Sequence, residues 1–176
     1  MRWLNASDLR QALPMDEAVA AMEAAFGDDR EAPLRIGLGV SLFMSGRVGG
    51  ITGVKVVSSV PGDPAGIVAV FGPDGHPLGL VDGPSLTAIR TGAASGLATR
   101  LLAAPGASVL AMLGAGAMAA DQVAAARAVR PIGRVLVWSR SGERAAALAG
   151  GVVGVGSGAC GAGVAAAELI WCATAA

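Results

Sequence analysis

Residues 109–123, VLAMLGAGAMAADQV, set an apolar run of strand length directly ahead of Gly114-Ala115-Gly116, and an alanine-rich helical stretch follows. Gly114-x-Gly116-x-x-Ala119 fits the pattern of a dinucleotide-binding turn. The first glycine permits the tight turn, and the second lets the backbone approach a pyrophosphate. The small third residue lets the helix lie close to the sheet, and the helix N-terminus offers unpaired N–H groups to an anion. In a chain with 27 glycines the spacing alone carries little weight. Its setting at the end of a strand and the start of a helix carries more.

That setting continues down the chain. The pattern predicts a strand at 107–113, a helix at 117–130, a strand at 134–139 and a helix at 141–149. Past Gly150 it weakens to a poor strand or loop, then a short helix near 162–167 and an apolar strand at 169–174. Strands alternating with helices imply a parallel, doubly wound sheet. The end of the second strand selects the cofactor. An acid there would accept from the ribose hydroxyls of NAD, but the chain reads Trp138-Ser139-Arg140-Ser141, with Arg144 one turn on. Hydroxyl and guanidinium both donate to a 2′-phosphate, which favours NADP(H) over NAD(H).

The first half has a different texture. Pro14 opens a helix whose stripe is Met15, Val19, Met22 and Phe26, closed by Gly27. Period-two alternation then puts Leu34, Ile36, Leu38, Val40 and Leu42 on one side of a half-buried strand. Strands at 51–60 and 67–72 follow, and the Pro73-Asp74-Gly75 turn returns the chain through HPLGLVD. A long helix runs from about Pro84 to Ala104, with Asp82 at its positive end. The chain thus reads as α/β: an N-terminal α+β portion at 1–104, then a partial Rossmann-like doubly wound parallel sheet at 105–176.

Three cations stand out in the first portion. Arg90 shares a helix face with Leu86, Ala93, Leu97 and Leu101, where a guanidinium needs a partner or an anion. Snorkelling, or pairing with Asp82 or Asp74, is the alternative to the favoured functional reading. Lys55 interrupts GVKVV, either as an edge residue or as a site ammonium tuned by burial. Arg35, on the glycine side of its strand, reads by itself as part of a solvated face. Three cations without an acidic cluster suit a small carboxylate. His76, in a turn, reads as solvated and non-catalytic.

Composition removes other classes. Basic and acidic residues balance at 13 each, so no nucleic-acid footprint is present. Cys160 and Cys172 make no metal spacing and read as reduced, small buried groups. The N-terminus carries charge every few residues and shows no secretory signal. Residues 145–167 run uncharged for the length of a membrane span, but are mostly Ala and Gly, so no membrane span is expected. These features fit a soluble, cytoplasmic protein.

The order PLR (33–35), GVKVV (53–57), PGDP (61–64), GHPLGLVDGPSLTAIRTGAASGLATRLLA (75–103), VLAMLGAGAMA and VWSR resembles the ornithine cyclodeaminase/μ-crystallin family over nearly the whole chain. The resemblance implies a homodimer with a substrate and dimerisation domain and a Rossmann domain. The family acts on small amino or imino acids, by ornithine cyclodeamination, alanine dehydrogenation or reduction of cyclic ketimines. By position, Arg35, Lys55 and Arg90 match the residues that hold the substrate carboxylate, and Lys55 is the one catalytic candidate. Thr91, Gly114, Gly116, Ala117 and Met118 match the cofactor-binding positions around the phosphate turn, and Ser139 and Arg140 match the ribose end. The chain departs from the family at Met118, where a glutamine is usual, and in a shorter stretch between PGDP and IVAVFG. The family's catalytic aspartate follows a strand corresponding to 169–174, so the resemblance assigns no proton-transfer group. Three classes stay open: an NAD(P)-dependent oxidoreductase, for which ketimine reduction is favoured; a cyclodeaminase-type lyase; and a catalytically incomplete relative that binds nucleotide or nothing.

Overall fold

The computed structural model describes residues 1–27, 30–58, 60, 65–149 and 160–173. They form two units, 1–87 and 88–176, and the division falls inside one helix.

The first unit opens with strand β1 (Arg2–Leu4) and helix α1 (Ala6–Ala12), neither of which apolar periodicity predicts. The local signal was Asn5-Ala6-Ser7-Asp8. The Asn5 side chain accepts from the Ser7 and Asp8 amides at 2.8 and 3.0 Å, while the Asp8 carboxylate accepts from the Asn5 amide at 3.2 Å. This reciprocal cap stabilises a seven-residue helix that propensity alone leaves marginal. Helix α2 (Met15–Gly27) follows, with Ala18 and Val19 buried. Phe26, expected on the buried stripe, is instead exposed and lies under the Arg30 guanidinium, 5.1 Å from the ring centroid.

The expected strand at 34–42 is not continuous. Strand β2 (Arg30–Glu31) precedes it, β3 covers only Ile36–Leu38, and Gly39 at φ 58° turns the chain into β4 (Ser41–Val48). A left-handed turn interrupts a perfect two-residue alternation because only glycine adopts that φ without strain. Arg35 therefore precedes the strand and is exposed, rather than sitting on its glycine side. Strands β5 (Ile51–Ser58), β6 (Gly66–Phe71) and β7 (Pro77–Asp82) complete an antiparallel meander, as expected. The sheet order is β1-β7-β6-β5-β4-β2, with β3 also on β4 and β1 parallel to β7.

Pairing register sorts this sheet into two faces. Ile36, Phe43, Val56, Ile67 and Asp82 form one cross-strand row, and Ser45, Val54, Ala69, Leu80 and Trp3 form the next. On this face Ile36 is 68% exposed, Phe43 37%, Ile67 42% and Trp3 49%. The opposite face carries Met44, Lys55, Val68 and Val81, with Val68 buried. The alternation at 34–42 predicts a half-buried strand, yet Leu34, Ile36, Leu38 and Val40 all stand exposed.

Helix α3 (Gly83–Leu102) begins in the first unit and runs into the second. The Asp82 carboxylate accepts from the Ser85 amide at 2.9 Å, as its place at the positive end suggests. The buried positions beyond the first turn are Ala88, Ile89, Gly92, Ala93, Gly96, Leu97 and Thr99. Arg90 is exposed and so lies beside the buried stripe, not within it. The stripe is displaced because the small residues meet another helix. A Cβ on Gly92 would stand 2.7 Å from the Asp121 carbonyl oxygen, so backbones touch there.

The second unit is parallel, as the alternation predicts. Strand β8 (Val109–Leu113), helix α4 (Ala119–Val129), strand β9 (Arg134–Trp138), helix α5 (Gly142–Ala149), helix α6 (Cys160–Ala165) and strand β10 (Leu169–Cys172) form a sheet of order β10-β8-β9. The poor strand or loop expected past Gly150 lies largely outside the described residues. Leu110, Ala111 and Met112 on β8, and Val135, Leu136 and Val137 on β9, are all buried, the mark of strands covered on both faces. Cys172 is an exposed free thiol rather than a buried one, because β10 lies at the edge of the described sheet. Among the described residues no helix is long and apolar enough to cross a membrane.

Two polar clasps hold this unit. The Arg130 guanidinium donates to the carbonyls of Arg100, Ala103 and Ala104 at 2.8–2.9 Å, closing the C-terminal end of α3. The Glu168 carboxylate accepts from the Ser108 and Val109 amides at 2.7 and 3.0 Å and from the Ser108 hydroxyl at 3.1 Å, pinning the start of β10 to β8. Those donors favour the charged form and lower the Glu168 pKa from its ordinary value. Its stabilisation is therefore present above the ordinary glutamate range and is lost as pH falls through the lowered folded value. Glu168→Gln is expected to lower the melting temperature at neutral pH and to remove part of its decline on acidification. Thermal unfolding followed from pH 7 to pH 3 checks both, and parallel wild-type and variant curves would refute the assignment.

Candidate functional site

Leu113 is the last residue of β8, and the chain must turn there to start α4. Gly114 does so at φ 107°, a conformation that side chains other than glycine rarely adopt, and its amide donates to the Trp138 carbonyl at 2.7 Å. The turn is thereby tied to the end of β9. Met118 caps α4 with no side-chain hydrogen bond, and the Ala119 amide turns back to the Gly116 carbonyl at 3.0 Å, so no side chain at the cap closes this helix N-terminus to an anion.

The neighbouring loop is shaped by its serines. The Ser139 hydroxyl oxygen accepts from the Ser141 amide, and the Ser141 hydroxyl oxygen accepts from the Arg144 amide, each at 3.3 Å. Arg140 and Arg144 both line the adjoining cavity. Neither has an ion-pair partner among the described residues.

These segments enclose a cavity of about 570 Å³ lined by Gly114, Ala115, Gly116, Trp138, Ser139, Arg140, Ser141, Arg144 and Ala173. Its walls are the carboxyl ends of β8, β9 and β10. Chain order reverses across β8, with β9 on one side and β10 on the other, so the cavity sits where doubly wound sheets bind ligands. Gly114, Gly116, Ser139 and Arg140 are brought together as expected. Ala117 and Met118 lie in the turn beyond the lining, and Thr91 is half-buried on α3 outside it. The expected set lacked Ala115, Trp138, Ser141, Arg144 and Ala173. Arg144 was legible as one helical turn past the strand end. Ala173 carried no local signal, because its place depends on β10 pairing with β8.

In the first unit Lys55 is part-buried, and its ammonium donates to the Thr87 hydroxyl. Arg35 is exposed in the same unit, and Arg90 belongs to the second. Among the described residues no cluster of His, Cys, Asp and Glu could hold a metal ion.

Comparison with known proteins agrees with this geometry. The model of the ornithine cyclodeaminase/mu-crystallin family matches residues 40–176. The chain is 36% identical over 160 residues to L-lysine cyclodeaminase of Streptomyces rapamycinicus, covering 78% of this chain and 47% of that protein. Among solved structures it resembles Delta(1)-pyrroline-2-carboxylate reductase of Thermococcus litoralis in complex with NADH and L-proline. There the TM-score is 0.86 and the identity 30%, over 99% of this chain and 62% of that one. It also resembles an archaeal alanine dehydrogenase dimer with bound NAD, with TM-score 0.77 and 27% identity, over 88% of this chain and 55% of that one. The chain thus spans about half the length of the curated relatives it matches. A family model over most of the sequence, met by the same Rossmann-like turn in the fold, shows that this chain belongs to the ornithine cyclodeaminase/mu-crystallin family.

Proposed function

We propose that the second unit binds a nicotinamide dinucleotide and that the chain serves an NAD(P)-dependent reduction of a small cyclic imino acid. The observation that carries this reading is the cavity at the carboxyl ends of β8, β9 and β10, with its glycine turn and uncapped helix. Gly114 and Gly116 give the pyrophosphate room, and the N-terminus of α4 attracts it. The family members that bind NADH or NAD support the same cofactor class. The bound cofactor would supply a hydride to the carbon of a C=N bond. In the first unit, Arg35 and Lys55 would hold the substrate carboxylate. The group that moves the proton is unassigned.

NADP(H) is proposed over NAD(H), because Ser139, Arg140, Ser141 and Arg144 line the cavity and no carboxylate lies among the lining residues. A 2′-phosphate would meet two guanidiniums, whereas ribose hydroxyls would find no acceptor carboxylate. The test is a titration with NADPH and NADH, following energy transfer from Trp138 and the other tryptophans. NADPH is expected to bind at least tenfold tighter, about 1.4 kcal/mol. Arg140→Ala with Arg144→Ala should close that gap. Equal affinities in the wild type would overturn the preference, and no binding of either by folded protein would overturn the cofactor site.

A cyclodeaminase-type lyase is the second reading, favoured by the lysine cyclodeaminase relative. The two separate on net consumption of NAD(P)H during turnover, which the lyase does not show.

We further propose that the first unit, with the opening of α3, forms the substrate and dimerisation portion, and that two copies associate through its open sheet face. The rows containing Ile36, Phe43, Ile67 and Trp3 are too apolar and too exposed to be left in water. Two such faces pack as layers about 10 Å apart. Sedimentation should give a dimer that Phe43→Glu with Ile67→Glu converts to monomer; a wild-type monomer would refute it. A cytoplasmic location, where reduced nicotinamide and the free Cys172 thiol would persist, is part of the same proposal.

A further inference from the structure

Lys55 is the one lysine of this chain, against twelve arginines. A sequence that otherwise uses guanidinium for every basic side chain keeps an ammonium here. The two differ physically, since an ammonium is a compact point charge on a flexible stem and a guanidinium is a planar fork. The surroundings of Lys55 explain how so flexible a stem is held.

Lys55 lies on β5 opposite Met44 and Val68. Its Nζ donates to Thr87 Oγ1. Thr87 Oγ1 donates its own proton to the Gly83 carbonyl at 2.7 Å, so the hydroxyl must turn a lone pair toward the ammonium. The position of Gly83 is itself set by contact. A Cβ there would stand 2.6 Å from the Gly66 carbonyl carbon and oxygen, and a Cβ on Gly66 would stand 2.8 Å from the Val56 carbonyl oxygen. Three backbones, those of β5, β6 and the first turn of α3, therefore lie in direct contact. The Asp82 cap on Ser85 holds the same turn. The hydroxyl that meets Lys55 is thus set against β6, the neighbour of the strand that carries Lys55.

We propose that Thr87 is the positioning residue for Lys55: its hydroxyl, oriented by the Gly83 carbonyl, fixes the ammonium where it can receive a substrate carboxylate. The inference rests on the reading of Lys55 as a carboxylate-holding residue.

The single lysine makes the test direct. Protein labelled with 13C-lysine gives one set of Cε–Hε signals. Wild-type Lys55 is expected to show two resolved Hε shifts and a restricted Cε, and pyrrole-2-carboxylate, a planar carboxylate probe, should move them. Thr87→Val, which keeps the shape and removes the hydroxyl, should merge the Hε shifts and weaken the response to the probe at least fivefold. Thr87→Ser should restore both. A wild-type Lys55 as mobile as a surface lysine overturns the proposal without any variant. So does Thr87→Val, folded by its dichroism, with wild-type shifts and order. If Lys55 is restricted and Thr87-dependent but insensitive to the probe, the carboxylate reading falls, and with it the role assigned to the anchoring.

Discussion

The burial of β8 on both faces is the constraint on which the second unit depends. Leu110, Ala111 and Met112 cannot meet water, so the strand must be flanked by β9 and β10 and covered by helices. A strand in that position has only its ends open, and the carboxyl end is where the chain has to leave it. Gly114 makes that exit possible and links it to Trp138. The cavity follows from packing a central strand whose chain leaves by a helix on one side while its other neighbour arrives from later in the sequence. Glu168 secures that later neighbour by taking the two amides at the start of β8.

A different constraint governs the first unit. An antiparallel meander has two faces, and here one carries the part-buried Lys55 while the other remains apolar and open. Glycines decide how closely the layers approach. At Gly66 and Gly83 any side chain would strike backbone, so the helix start is pressed directly on the sheet. That contact sets the geometry of the Lys55 ammonium, and a proposed partner copy would complete the apolar face.

Charge placement follows from these two scaffolds. The chain balances its charges overall, yet Arg140 and Arg144 line the cavity at the end of β9 with no acid among the lining residues. Arg130, in contrast, is occupied by carbonyls, those of Arg100, Ala103 and Ala104 at the end of α3 and that of Val129 on α4. The same residue type is a structural clasp at one place and lines a cavity at another, and only the surrounding backbone distinguishes them.

Much of the site was legible because it is local. The apolar run into Gly114-x-Gly116, the helix after it and the Ser139-Arg140 end of the next strand are determined by neighbours in sequence, as are the meander of β5, β6 and β7 and the cap at Asp82. Short polar caps were harder to see, and α1 was missed although Asn5 and Asp8 specify it, because its apolar stripe is too short to show a period. What tertiary structure decided is non-local. The break at Gly39 turned an unbroken alternation into a hairpin and left its apolar side exposed. The approach of α4 at Gly92 moved the buried stripe of α3 away from Arg90. The pairing of β10 with β8 brought Ala173 to the cavity from 60 residues along. Periodicity reports which side of an element is apolar, but only contact between elements determines which side is covered.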